Sequence, residues 1–363
     1  MGAVRSPFHP DDLERLIGPA RAFELGTPST PGVYALQNHL ALEVVAHLTR
    51  AGVPIVFRGG TALYTKLPER RRFSIDVDVT TTRRLEVHDG LREFTERFSK
   101  SDLRLVEPPR NLRVEGVCHE LIFERLASPV RILVEVVETD DLRLEHEPTR
   151  LRVGDLDWAV DVAAPTLAAF VGQKLAVLGP RTIGKAVGRN RSHARGNQGV
   201  CKQIYDIRRI LHGDGLDADA IARGYDLAVE EANRLRGTKH GRADCLSDAR
   251  ELLAWLSRPR GHEREEETRY GLWSGYEDSR RWIVGRSDWR EEDYRIAAGV
   301  ISKLATGLVH GPVDLDAIRG PLVAPAVPSE VMEVLEVAER EEAEWFVKGE
   351  FGDNARIAWA WLP

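Results

Sequence analysis

VFRGGTALYTKLPERRRFSIDVDV (residues 56–79) decides how this chain reads. It predicts a strand, a Gly-Gly turn, a short helix and a second strand carrying two carboxylates one residue apart. Strand residues i and i+2 share a face, so Asp76 and Asp78 project together while Ile75, Val77 and Val79 point the other way, into a core. Two carboxylates ~7 Å apart along one strand repel each other unless a cation sits between them. A hard divalent ion that prefers oxygen ligands, such as Mg2+, resolves that conflict. Upstream, Gly59, Gly60 and Thr61 let backbone N–H groups approach a ligand at a helix N-terminus, a natural seat for phosphate. A phosphate cradle beside metal-binding carboxylates implies phosphoryl or nucleotidyl transfer.

Other positions extend this constellation. Glu135 lies mid-strand among Leu133, Val134, Val136 and Val137, where an acid is costly to bury unless it binds something. It is the candidate third carboxylate, either as a metal ligand or as a base for an attacking hydroxyl. The bland alternative is that it faces solvent or pairs with an arginine. Lys174 sits inside an apolar helix (PTLAAFVGQKLAVL) and either snorkels to solvent or reaches a triphosphate as a compact positive charge. Asp206, beside Tyr205, is either functional or a helix-surface ion-pair partner of Arg209 or Lys202. Residues 179–199 are glycine-rich and basic, with Arg181, Lys185, Arg189, Arg191 and Arg195 and no acid. They read as a mobile loop, serving as a solvated linker or as a clamp on nucleic-acid phosphates. His39 and His47 are expected at surface positions of the first long helix. The tryptophans are expected to serve packing rather than base stacking.

Composition bounds the classes. The chain has 363 residues, 42% hydrophobic and 30% charged, with a formal net charge of -6. It is therefore expected to be a soluble globular protein, with any nucleic-acid surface local rather than global. Three dispersed cysteines, Cys118, Cys201 and Cys245, fit neither a cysteine zinc site nor a disulfide framework, so a reducing cytoplasm is expected. Neither a signal peptide nor a membrane span is predicted. The pattern divides the chain into an arm (1–32), an α/β region (33–215) and a helical region (216–363). Helices are expected over 33–51, 87–100, 165–178, 200–211, 218–236, 243–256 and 294–308, with an acidic one over 329–345. Strands are expected over 54–57, 75–81, two within 103–126, 131–138 and 151–153.

Residues 59–63 (GGTAL) and 72–78 (RFSIDVD) together resemble the AbiEii/AbiGii toxin family of nucleotidyltransferases, which includes the MenT-type toxins. Lys174, and Asp206 within KQIYDI, resemble two looser motifs of that family. The resemblance covers about residues 33–215. It implies an α+β fold, with a polymerase-β-like nucleotidyltransferase core of mixed sheet followed by a helical C-terminal domain. It also implies nucleotide binding by Gly59, Gly60, Thr61, Arg72, Ser74 and Lys174, and a Mg2+ (or Mn2+) site at Asp76, Asp78 and Glu135. The implied activity is NTP-dependent transfer to an RNA acceptor such as the tRNA 3′ end, opposed by a cognate antitoxin in a toxin–antitoxin or phage-defence pair. Two departures stand out: Lys202-Gln203 replaces the family's Arg-Asp pair, and Glu135 stands where an aspartate is more usual. The alternatives are modification of a protein or a small molecule such as an antibiotic, and a non-catalytic nucleotide-binding module to which the acidic 329–345 helix docks a partner.

Overall fold

Leu40, Val44 and Leu48 recur at i+4 spacing, and this spacing builds helix α1 (Pro31–Arg50), which buries all three completely. Gly52 ends the helix with φ +76, its N–H bonding to Thr49 O while Val53 N–H reaches back to Leu48 O. That is a Schellman closure, which favours glycine because left-handed backbone costs a residue with Cβ. The burial is wider than one stripe: Leu42, Val45 and Ala46 are buried too. His39 is correspondingly 2% exposed and sits edge-on to Trp158, and His47 packs edge-on to Phe94. The expectation of surface histidines is thus corrected, because α1 is covered on more sides than its i+4 stripe indicates. Trp158 Nε1 donates to Glu43 Oε1 at 2.8 Å, giving this fully buried carboxylate a donor.

In this computed structural model the residues described are 31–68, 72, 74–97, 103–106, 116–123, 130–153, 156–188, 191–213, 215–257, 267–280, 282–283, 289–311 and 313–319. The expected arm at 1–32 falls almost wholly outside them, and the acidic 329–345 helix entirely so. The chain divides into two compact units, one of Met1–Leu167 with Trp282–Gly285, the other of Ala168–Arg281 with Arg286–Pro363.

The first unit is a seven-stranded mixed sheet with helices α1, α2 (Gly59–Lys66) and α3 (Arg84–Arg97). Its strands are β1 (Ile55–Arg58), β2 (Val77–Thr81), β3 (Leu103–Val106), β4 (Gly116–Phe123), β5 (Val130–Glu138), β6 (His146–Val153) and β7 (Leu156–Pro165). Their order is β3-β4-β5-β2-β1-β7-β6, so the carboxylate strand β2 lies at the centre. β2 runs parallel to β5 and antiparallel to β1, and β1 runs parallel to β7. The register aligns Phe57, Val79 and Val136 in one row and Val77 beside Val134 on the same face. All five are fully buried, as the alternation of β2 predicts. The opposite face carries Arg58, Asp78, Glu135 and Cys118. Strand β7 was not anticipated, although its buried Trp158, Val160, Val162 and Ala164 follow the two-residue period.

The second unit is helical: α4 (Leu167–Ala176), α5 (Ala194–Leu211), α6 (Ala218–Arg236), α7 (Arg242–Ser257), α8 (Glu267–Arg280), α9 (Glu291–His310) and α10 (Leu315–Arg319). Helix α8 was not expected. The expected change of pattern at 213–215 falls between α5 and α6. The Asp217 side chain caps α6 by accepting from Asp219 N–H, and Gly237 closes it with φ +65. Trp289 packs edge-on to Tyr205, in keeping with a packing role.

The basic 179–199 stretch departs from a mobile loop. Asp248 accepts from the backbone N–H groups of Arg181 and Thr182 at 2.7 and 2.9 Å. Asn197 bonds both the N–H and the C=O of Gly188, and residues from 191 onward are helical. The anchoring groups lie outside the charge run or deep in its helical end, where composition gives no sign of them.

Helices α4 and α6 meet backbone to backbone. A Cβ on Gly172 would lie 2.4 Å from both Ile221 O and Tyr225 N. Gly172→Ala gains helix propensity of about 0.5–1 kcal/mol, but overpacking against rigid backbone costs about 1–3 kcal/mol. The clash is expected to win, lowering the urea midpoint. A raised midpoint would show that the two helices separate without cost.

Candidate active site

The site grows out of one backbone feature. Gly59, at the junction of β1 and α2, has φ +76. A Cβ there would fall 1.6 Å from Asp78 Oδ2. Asp78 therefore occupies the space a side chain at position 59 would take, and only glycine satisfies both the dihedral and the contact. Gly60 repeats the arrangement: a Cβ would lie 2.5 Å from Ser74 Oγ and 2.8 Å from Arg72 Nη2. Helix α2 ends at Leu67, which is extended (φ -76, ψ 133) because the following Pro68 disfavours helical backbone.

Arg72, Ser74 and Asp76 lie outside the strands of the sheet, and each is fixed by a tertiary contact. Thr61 Oγ1 donates to Asp76 O at 2.5 Å. The buried Asn38 of α1 donates from Nδ2 to Ser74 O at 2.7 Å. Arg72 forms an isolated antiparallel bridge with Ile283. Gly59, Gly60, Thr61, Arg72, Ser74, Asp76 and Asp78 are thereby gathered on the first unit. Asn38 escaped the sequence reading because it lies off the apolar stripe of α1, with nothing to mark it as a partner of a loop 36 residues on.

Across the sheet the register sets Asp78 between Arg58 and Glu135, with Cys118 beyond Glu135. Adjacent strands are ~4.8 Å apart, so these side chains share one face as close neighbours. Asp78 is half-buried and Glu135 exposed. Desolvation, then the charges of Glu135 and Asp76, push the Asp78 carboxyl up to about 7, against an opposing pull from Arg58. The same carboxylates, after burial, raise the Cys118 thiol to about 11. Arg58 also escaped the reading, although it immediately precedes the glycines; its Nη1 donates to Thr80 Oγ1 at 2.9 Å.

Among the described residues no three His, Cys, Asp or Glu side chains are gathered closely enough to cage a metal ion as they stand. The expected three-carboxylate metal site is thus not closed among the described residues: Asp78 and Glu135 are neighbours in the sheet register, and Asp76 precedes the first residue of β2. The donor chemistry nevertheless fits a hard divalent cation, since the converging groups are oxygen acids whose repulsion is relieved by a shared proton or by a cation.

In the second unit, Lys174 Nζ donates to Asp206 Oδ2 at 2.7 Å and to Gln203 Oε1 at 3.0 Å. Both members of the pair are almost fully buried. Lys174 therefore does not snorkel, and Asp206 is not a surface partner of Arg209 or Lys202. Of the basic stretch, Arg181 is committed to Asp248 and Glu251. Lys185 and Arg195 are exposed, while Arg189 and the Arg191 side chain lie outside the described residues.

Residues 46–273 match the family described as Nucleotidyl transferase AbiEii toxin, Type IV TA system. The chain belongs to the AbiEii nucleotidyl transferase toxin family. Membership makes this AbiEii-family chain a nucleotidyltransferase and a toxin of the type IV toxin–antitoxin class, for which an antitoxin is the implied partner. Among curated proteins none matches it. Solved structures similar to it include JHP933 from Helicobacter pylori, at 13% identity and TM-score 0.38, covering 75% of this chain and 92% of that one. Another is a candidate nucleotidyltransferase from H. pylori, at 12% identity and TM-score 0.29, covering 67% and 95%. No helix among the described residues is long and apolar enough to cross a membrane.

Two outcomes follow for this AbiEii-family chain. Gly59→Ala should displace Asp78 and cost about 1–3 kcal/mol in stability; thermal melts and transfer assays should both show a loss, and a variant as active as wild type would refute the contact. Lys174→Met leaves a buried carboxylate unpaired and should cost about 3–5 kcal/mol, whereas Lys174→Met with Asp206→Leu should recover most of it. Denaturant titration of both variants measures the difference.

Proposed function

We propose that the protein transfers a nucleoside monophosphate from an NTP to the 3′ end of an RNA, with tRNA as the acceptor and Mg2+ as the working ion. The observation that carries this is the Gly59-Gly60 turn packed directly against Asp78, Ser74 and Arg72, with Glu135 beside Asp78 in the sheet register. Such a face recognises a polyphosphate through backbone N–H groups and a guanidinium, and presents carboxylates beside it.

In this reading Asp76, Asp78 and Glu135 would hold the divalent ion, which when bound offsets phosphate charge and so favours in-line displacement. The Gly59-Gly60-Thr61 turn and Ser74 orient the phosphates. Arg72 contributes a planar pair of donors to phosphate oxygens. Lys174, which the family resemblance assigns to the triphosphate, is paired with the buried Asp206. The RNA 3′-hydroxyl attacks the α-phosphorus, a new P–O bond forms, the α–β anhydride bond breaks and pyrophosphate leaves. Glu135, the most exposed of the three acids, takes the hydroxyl proton or completes the metal ligands. Lys185 and Arg195, exposed cations of the basic stretch, would contact RNA phosphates without reading bases.

The test is incubation of purified protein with Mg2+, each labelled NTP in turn and total tRNA, resolved on a denaturing gel beside Asp76→Ala and Asp78→Ala. Label is expected on tRNA with wild type alone, with a drop of at least about 10²-fold in either variant. Label confined to protein or to small molecules would replace the RNA acceptor. Transfer, or growth inhibition, retained in both variants would sink the carboxylate assignment. Added Mg2+ or Mn2+ should also raise the melting temperature of wild type more than that of Asp78→Asn.

A further inference from the structure

Arg72, Ser74 and Asp76 are three of the residues assigned to the nucleotide and the ion, yet none of them lies in a strand of the sheet. Positions 72, 74 and 76 are each held by a different part of the first unit: Asp76 O by Thr61, Ser74 O by Asn38, and Arg72 by its bridge to Ile283. Thr61 and Asn38 are near in sequence. Ile283 is more than 200 residues away and lies past the end of the family match at residue 273.

Ile283 is 2% exposed and, with Trp282, belongs to the first unit, whereas helices α8 (Glu267–Arg280) and α9 (Glu291–His310) belong to the second. A backbone bridge constrains the dihedrals of the residue it pairs and so the direction in which the side chain leaves. For Arg72 that direction brings Nη2 to 2.8 Å from where a Cβ on Gly60 would lie, over the first turn of α2.

We propose that Trp282 and Ile283 form a positioning element for the nucleotide. Ile283, by pairing with Arg72, aims its guanidinium at the phosphates bound over Gly59 and Gly60. This deepens the NTP-dependent reading above and rests on it. It also means that a segment outside the family's matched region tunes the affinity of the family's own phosphate turn.

Equilibrium binding of each of the four ribonucleoside triphosphates, fluorescently labelled and with Mg2+, tests the idea on the full-length protein. Ile283→Pro, which removes an N–H and restricts φ, is expected to weaken binding about tenfold, comparable to Arg72→Ala, by loss of one aimed charge-assisted contact. The double variant should bind no more weakly than Arg72→Ala alone, because Ile283 acts through Arg72. Ile283→Gly, which loosens the backbone while keeping the N–H, should fall between, and it carries the test if the proline variant melts early. Ile283→Val should match wild type. Unchanged affinity in both the Pro and Gly variants, or losses that add in the double variant, overturn the positioning role. A wild-type protein that binds no triphosphate overturns the nucleotide reading together with this one.

Discussion

The contact between the Asp78 carboxylate and the bare Cα of Gly59 sets the geometry of the whole site. It goes with left-handed backbone at residue 59, where α2 starts directly at the end of β1. It also brings β2 alongside β1, and through β2 the parallel strand β5, so that Glu135 falls beside Asp78. A side chain at position 59 would force apart the strand junction, the helix start and the acid together.

The sheet's two faces divide the labour by solvation. One face buries Phe57, Val77, Val79, Val134 and Val136, and α1 packs on the sheet with Leu40, Val44 and Leu48. The other carries a short line of ionisable groups from Arg58 to Glu135, still partly wet. Burial on the first face holds the strands in register; incomplete burial on the second keeps the acids available while raising the cost of ionising Asp78. A half-buried carboxyl shifted to about 7 is poised between proton and cation at neutral pH.

The helical unit shows a second solution to buried charge. Lys174 and Asp206 neutralise each other, with Gln203 taking a further donor from the lysine. Asp248 collects backbone N–H groups from residues 181 and 182 and the Arg181 side chain, so an acid on α7 holds a stretch that reads in isolation as purely basic. In both cases the partner lies about 30 to 70 residues away in sequence and is supplied by helix packing.

Much of this protein was legible in the chain itself. Strand alternation at 75–79, the Gly-Gly-Thr turn and the i+4 stripe of α1 are local patterns, governed by sterics and solvation within a few residues. They disclosed the carboxylate strand, the helix after the turn, the mixed α+β class and the identity of the paired acids. Tertiary structure alone decided which groups face them. Arg58 and Glu135 flank Asp78 because strand order and register say so; Asn38 meets Ser74, and Ile283 meets Arg72, because elements far apart in sequence fold together. It likewise decided that His39 is enclosed, that Lys174 is paired rather than exposed and that the basic stretch is anchored. Local patterns record what one residue asks of its neighbours, whereas the partner of a buried polar group is fixed only when distant segments close over it and water is no longer there to take its hydrogen bonds.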